Sequence, residues 1–204
     1  VLAGVEIGEG FWFPDEAKKV LSIPGYDSIV GSVHIVRFGE KIAYSAMDFS
    51  KMTENEIYIF LGCYFNDILE MLKFTPCDVM AHLTCPLRYI VGKYHREISL
   101  ERFMPKIKEI LSYIIKHAIA LEINTSCIGS DYNELLPNED IIKMYKDMGG
   151  YLITLASDAH IAENAGNNFE YAIRVLKKYG FENCYYYKNR YAVACHIGGK
   201  SNGA

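Results

Sequence analysis

No stretch of this 204-residue chain carries a concentrated charge: 21 Lys and Arg face 25 Asp and Glu, a net charge of −4. No basic run exceeds two residues, so nothing offers a phosphate backbone or an anionic bilayer a firm electrostatic hold. Apolar stretches long enough to span a hydrocarbon core are also missing. The amino end lacks the charged n-region of a secretory signal and is interrupted early by Glu6. No Cys-x-x-Cys pair occurs among Cys63, Cys77, Cys85, Cys127, Cys184 and Cys195, so the cysteines are expected to be reduced, small core residues of a cytoplasmic protein. Neither Gly-x-Gly-x-x-Gly nor a Walker-type loop follows any strand-like segment, which weighs against a nucleotide fold. No internal repeat is evident. What remains is a chain that is half hydrophobic, with mean hydropathy near zero, long enough for one domain with a full core.

Apolar strands alternate with amphipathic helices at intervals of about 30 to 45 residues, the signature of a parallel α/β sheet. The first strand runs to Ile7, with Val1, Ala3, Val5 and Ile7 on one face and Leu2, Gly4 and Glu6 on the other. Pro14–Leu21 reads as a short helix with Pro at its start and acids in its first turn. Ser28–Val36 is expected as one strand bearing His34, followed by an irregular loop to Phe49. Thr53 and Glu56 make a capping box for the longest helix, to Lys73, whose apolar stripe is core packing. Asp78–Leu83 is a third strand with His82 near its end, and 84–99 a long loop carrying Arg88, His95 and Arg96. A helix from Leu100 to His117, capped by Ser99, leads to the strand Ala118–Asn124, which holds Glu122 and Asn124 on one face. Asn138–Met148 is helical between Pro137 and Gly149-Gly150. The run Tyr151–Thr154 leads into Leu155-Ala156-Ser157-Asp158-Ala159-His160. Read as strand, this aims Asp158 and His160, two residues apart, at one spot. A helix near 165–179 and a closing hairpin (184–187 with 191–195) follow. Residues 198–204 are expected as a flexible tail.

Five strands thus end in a residue that can ligate a metal: Glu6, His34, His82, Glu122, then Asp158 with His160. Carboxylate and imidazole together suit zinc, manganese or iron, and in a (β/α) barrel strand ends meet at one mouth. Each residue has a plainer alternative. Glu6 could be an ion-pair carboxylate, Asp158 a turn cap with His160 merely packed, and Glu122 a buried carboxylate held by neighbouring amides. His95, Arg96, His117 and His196 are expected to be structural or surface residues.

In the order Gly4-Val5-Glu6-Ile7-Gly8, Gly31-Ser32-Val33-His34, Asp78–Leu83, Leu121–Ser126 and Ser157–His160, the sequence resembles the PHP (polymerase and histidinol phosphatase) superfamily, in its histidinol-phosphatase branch. The likeness spans residues 1 to 197. It implies a distorted (β/α)7 barrel with two or three divalent ions at its mouth. Glu6, His34, His82, Asp158 and His160 would be the ligands, Arg88 a phosphate-gripping residue, and Glu122 and Asn124 would border the substrate. Asp158 or His160 could also relay a proton to the leaving group. The implied reaction is hydrolysis of L-histidinol phosphate. Another phosphomonoester as substrate, or a metal-binding fragment without turnover, is the alternative. The partner expected is that small phosphorylated molecule, with no nucleic acid or membrane. Two departures stand out. The family's first-strand His-x-His is absent, and with Val1 opening inside a strand, a front of about 60 to 70 residues, one to two βα units, is expected to be missing. The family's Gly-Leu-Arg after Asn-Thr-Ser reads Cys127-Ile128-Gly129-Ser130 here.

Overall fold

A computed structural model describes residues 1–198, except for the side chains of residues 40 and 41. The expected tail lies outside the described residues apart from Gly198. Five strands form a parallel sheet in the order β1 (Gly4–Gly8), β2 (Ser28–Ser32), β5 (Val79–Met80), β6 (Ala120–Asn124) and β7 (Ile153–Ala156). Two antiparallel hairpins accompany it, β3 (Ile35–Phe38) with β4 (Glu40–Ala43), and β8 (Asn183–Lys188) with β9 (Tyr191–His196). The helices are α1 (Pro14–Leu21), α2 (Glu54–Phe74), α3 (Met104–Lys116), α4 (Glu139–Asp147) and α5 (Phe169–Lys178).

The parallel register divides the sheet into two faces with different partners. Gly31, Met80, Leu121 and Ile153 lie in one row, and the core formed by Met80, Leu121, Ile123 and Ile153 continues into the stripes of α2, α3, α4 and α5. Gly31 belongs here for want of a side chain. A Cβ would come within 2.6 Å of the Met71 sulfur and 3.0 Å of the Cys77 sulfur, so α2 packs directly on the strand. On the other face, Glu6, Val30, Val79 and Ala120 form the next row. Its lower part is covered by Tyr187 and Tyr185 of β8, which pack with Val30, Val79, Ala120 and Leu152. The hairpin is tied to the amino ends of the strands, where Asp78 pairs with Arg190 and Asp27 accepts the Asn189 N–H. The carboxyl ends of that face are left for polar side chains.

Helix signals translate in part: the helix expected from Leu100 under a Ser99 cap begins only at Met104, because Ser99 Oγ accepts the Glu101 N–H at the start of a separate 3-10 turn, Glu101–Phe103. Thr53 Oγ1 accepts the Glu56 N–H while Glu56 accepts the Thr53 N–H, both halves of the capping box. Asn138 caps α4 through the Ile141 N–H. The Pro14–Leu21 helix and the closing hairpin are present, and the strand expected from Val1 to Ile7 runs from Gly4 to Gly8, so the chain does not open inside it. Strand ends differ, and for identifiable reasons. The expected strand 28–36 stops at Ser32, because Glu9 accepts the N–H groups of both His34 and Ile35 and draws the chain out of the sheet; residues 35–43, expected partly as loop, form β3 and β4. The third strand is only Val79–Met80, since His82 turns with φ 24°. The last ends at Ala156, and Asp158 takes φ 50°, so the alternation of a strand does not extend to Asp158 and His160. The fifth helix begins at Phe169 rather than 165, after the left-handed Asn168. The loop 84–99 contains a six-residue π-helix, Arg88–Lys93. No described helix is long and apolar enough to cross a membrane.

Candidate metal centre

Glu6, on β1, projects from the face that the helices leave uncovered. His34 follows β2, and His82 follows β5. One oxygen of Glu6 lies 3.4 Å from His34 Nε2 and 3.5 Å from His82 Nε2. The three side chains each offer a donor atom within 4.8 Å of the others. Two donors sharing a tetrahedral zinc at about 2.1 Å each stand about 3.4 Å apart, so this spacing is that of ligands around one ion. His82 Nδ1, on the other side of the ring, is buried with no hydrogen-bond partner. The donor set and its spacing therefore fit a divalent metal.

Supporting contacts hold the His34 ring and the His82 backbone. Ser32 Oγ lies 3.3 Å from His34 Nδ1, leaving Nε2 to face Glu6. The His82 N–H donates to Glu122 (3.1 Å), and Glu122 also accepts from the Asn124 side-chain amide (3.1 Å). Glu122 and Asn124, expected beside the substrate, are 7% and 1% exposed and lie beneath the centre, where they fix the His82 backbone.

Electrostatics follow from this crowding. Burial works against ionising Glu6, but the hydrogen bond and charge of His82, with Ser32 and His34 behind them, outweigh it and hold the carboxyl at about 2. Burial, helped by the neighbouring His82 charge, lowers His34 against the pull of Glu6. For His82, burial is overcome by Glu6 and Glu122, and the ring is raised above its ordinary value. Burial also raises Glu122. Each histidine presents a nitrogen to the same carboxylate.

These residues line a cavity of about 450 Å³. Its far wall carries Arg88, Asp158 and His160, with Tyr44, Tyr89 and Cys85 between. Arg88 opens the π-helix and points back to Asp158, Nη1 to Oδ2 3.7 Å. His160 Nε2 is 3.6 Å from Asp158 Oδ1, and its side chain is 92% exposed. Asp158 and His160 thus border the cavity from a loop, outside the tight Glu6–His34–His82 cluster. Burial pushes the Cys85 thiol up to about 11. His95, Arg96 and His117 do not line the cavity; Arg96 instead donates to the carbonyls of Phe49 and Met52.

A buried carboxylate was missed in the sequence. Glu9 lies against this centre, and only its neighbours Gly8 and Gly10, which permit a sharp turn, hinted at it.

No protein-family model matches the chain. It is 29% identical over 188 residues to a probable histidinol-phosphatase of Clostridium acetobutylicum, covering 90% of this chain and 68% of that one. With a probable histidinol-phosphatase of Thermotoga maritima it shares 36% identity over 117 residues, 56% of this chain and 45% of the relative. The crystal structure of Lactococcus lactis histidinol phosphate phosphatase, complexed with zinc, L-histidinol and phosphate, superposes with a TM-score of 0.76 at 26% identity, covering 93% of this chain and 70% of that one. The chain is similar to histidinol-phosphatases. Its α/β fold with a parallel sheet is similar to that of the Lactococcus lactis structure, and it spans from under half to about 70% of the length of these three proteins.

Proposed function

We propose that this chain carries the metal centre of a histidinol-phosphatase, a metal-dependent hydrolase converting L-histidinol phosphate and water to L-histidinol and phosphate. The observation that carries the reading is the single Glu6 oxygen placed between His34 Nε2 and His82 Nε2 at a cavity wall. Similarity to histidinol-phosphatases over 90% of the chain supports the substrate class. On this reading the sheet is part of a distorted (β/α)7 barrel comprising residues 1–197, and the six free cysteines suit a cytoplasmic enzyme of histidine biosynthesis.

Two or three divalent ions, zinc, manganese or iron, would supply Lewis acidity toward the phosphoryl oxygens and lower the pKa of a bound water when held here. Glu6, His34 and His82 hold the ions from the sheet, and Asp158 and His160 complete the ligand set from the opposite loop. Arg88 grips the phosphate with its planar guanidinium, a bidentate partner for two oxygens, released from Asp158 as substrate enters. Asp158 or His160 relays to the departing alkoxide a proton taken from the attacking water. With no activated serine or cysteine beside a base in the cavity, the phosphoryl group passes directly to water.

Metal analysis combined with phosphate release tests this. The protein is expected to hold two to three ions per chain, and His34→Ala and His82→Ala each to lose metal and turnover together. Arg88→Ala is expected to raise KM for histidinol phosphate about tenfold or more while metal content stays unchanged. Bound metal without turnover on any of a panel of phosphomonoesters would mark a metal-binding fragment; turnover favouring another panel member would change the substrate; no bound metal would overturn the centre.

A further inference from the structure

The second carboxylate of the Glu6–Ile7–Gly8–Glu9 turn has no role in the reading above. Glu9 is 7% exposed and lies in the left-handed region at φ 52°. Its own N–H reaches Ser32 O at 3.3 Å, so the β1–β2 ladder continues for one residue before the chain turns. That turn throws the side chain back across the end of β2. There one oxygen, Oε1, accepts the N–H of His34 and also that of Ile35, the latter at 2.8 Å. The His34 amide lies between the end of β2 at Ser32 and the start of β3, and the Ile35 amide is the first of β3. Glu9 therefore takes the place of the ladder partner that the backbone lacks at the residue whose imidazole meets Glu6.

We infer that Glu9 is a positioning residue: its carboxylate holds the His34 backbone outside the sheet and so aims the imidazole at Glu6 and His82. The inference rests on the metal-centre reading, since the aim matters only if that centre takes an ion. Several features require a group of this shape. A shorter side chain could not span from the left-handed turn to both amides. A residue without an acceptor would leave two N–H groups unpaired in a largely buried corner, which the fold avoids by letting the strand run on or slip. Either outcome would swing His34 away, because successive residues of an extended chain point to opposite faces. Gly8 guards the same aim from the other side: a Cβ there would lie 3.2 Å from His34 Nδ1. What acts is the acceptor oxygen rather than the negative charge, and this separates Glu9 from a metal ligand.

Two variants and two readouts test it. Glu9→Gln keeps a carbonyl oxygen at the same reach, whereas Glu9→Ala removes it; circular dichroism checks that each is folded, and Glu9→Asn, one methylene short, replaces the alanine variant should that not fold. Cobalt(II) titration followed by its visible absorption reads metal affinity and ligand geometry without turnover. The alanine variant is expected to bind cobalt about 10- to 100-fold more weakly, with an altered band, and the glutamine variant within about threefold of the parent. Amide hydrogen exchange in metal-free protein reads the holding itself: His34 and Ile35 are expected to exchange at least tenfold faster in the alanine variant and near the parental rate in the glutamine variant. Parental cobalt affinity in the alanine variant, or equal losses in both variants, would overturn the proposal. If the parent protein binds no cobalt, the metal-centre reading fails by itself, and the exchange rates still report whether Glu9 holds these amides.

Discussion

Glu122 joins the centre to the protein's acid–base behaviour. Its carboxyl is raised by burial, against the opposing pull of His82 and the Asn124 amide. A carboxyl raised on folding contributes stability that is complete below its ordinary value of 4.5 and declines as pH climbs through the higher folded value, because the unfolded chain gives up its proton first. Glu122→Gln keeps the oxygen that serves His82 and Asn124 but cannot ionise. The melting temperature of the metal-free variant should therefore fall less than the parent's between pH 4.5 and neutrality; parallel curves would show that Glu122 does not titrate as argued. Glu122→Ala is expected to cost about 1–3 kcal/mol for each buried donor it strands. At this scale the sequence is informative where a residue acts from a strand end: Glu6, His34 and His82 stand out as ligand types after apolar runs. It is silent where a side chain acts by returning on its own backbone. Nothing in Gly8-Glu9-Gly10 states that φ at Glu9 will be positive, and Asp158 was placed by strand alternation that a left-handed residue interrupts.

Helices were legible element by element because their determinants are local. The Thr53–Glu56 box, the Asn138 cap and the 3.6-residue stripes need no distant partner. Parallel strands depend on neighbours far away in sequence, and here they are short: β5 has two residues, and β2 is cut off by Glu9. The π-helix at Arg88 has no composition of its own and shows only in the structure. This locality carries a prediction for α2. Thr53→Ala removes one half of the capping box and strips the other of its partner, at a cost of about 1 kcal/mol. In a chain of this length that corresponds to a drop of about 2–4 °C in melting temperature. The Thr53 cap is exposed and separate from the cavity, so zinc affinity should stay unchanged. A loss of affinity in step with stability would mean that the cap and the centre are coupled through α2.

Across the whole molecule, one face of the sheet does two things at opposite ends. Its carboxyl end presents Glu6, His34 and His82, and its amino end is covered by the β8–β9 hairpin, whose Tyr187 and Tyr185 pack on Val79, Ala120 and Leu152. Contacts between residues distant in sequence, up to 162 positions for Asp27 and Asn189, make that docking, and this is why its place was not legible though the hairpin itself was. Tyr187 OH donates to Asp78 O at 3.1 Å, and Arg190 pairs with the Asp78 carboxylate. Asp27 accepts the N–H of Asn189 at 2.9 Å and that of Ala3 at 2.8 Å, joining the hairpin to the lead into β1. Those amides, Asn189 first and then Ala3, lower the Asp27 pKa below 3.8. A carboxyl lowered on folding contributes stability that is present above its unfolded value and lost as pH falls through the folded one. Hairpin docking is thus expected to weaken on acidification below about pH 3.8. Near-ultraviolet circular dichroism of the tyrosines, followed from pH 6 downward, should show that transition. Asp27→Ala removes both acceptors at every pH, so at pH 7 its tyrosine signal should already be reduced and its β8–β9 amides should exchange faster. Cobalt binding at the opposite end should be untouched, since the two ends share the sheet but none of these contacts; if Asp27→Ala weakens cobalt binding as well, hairpin and metal centre form one cooperative unit and the division argued here is wrong.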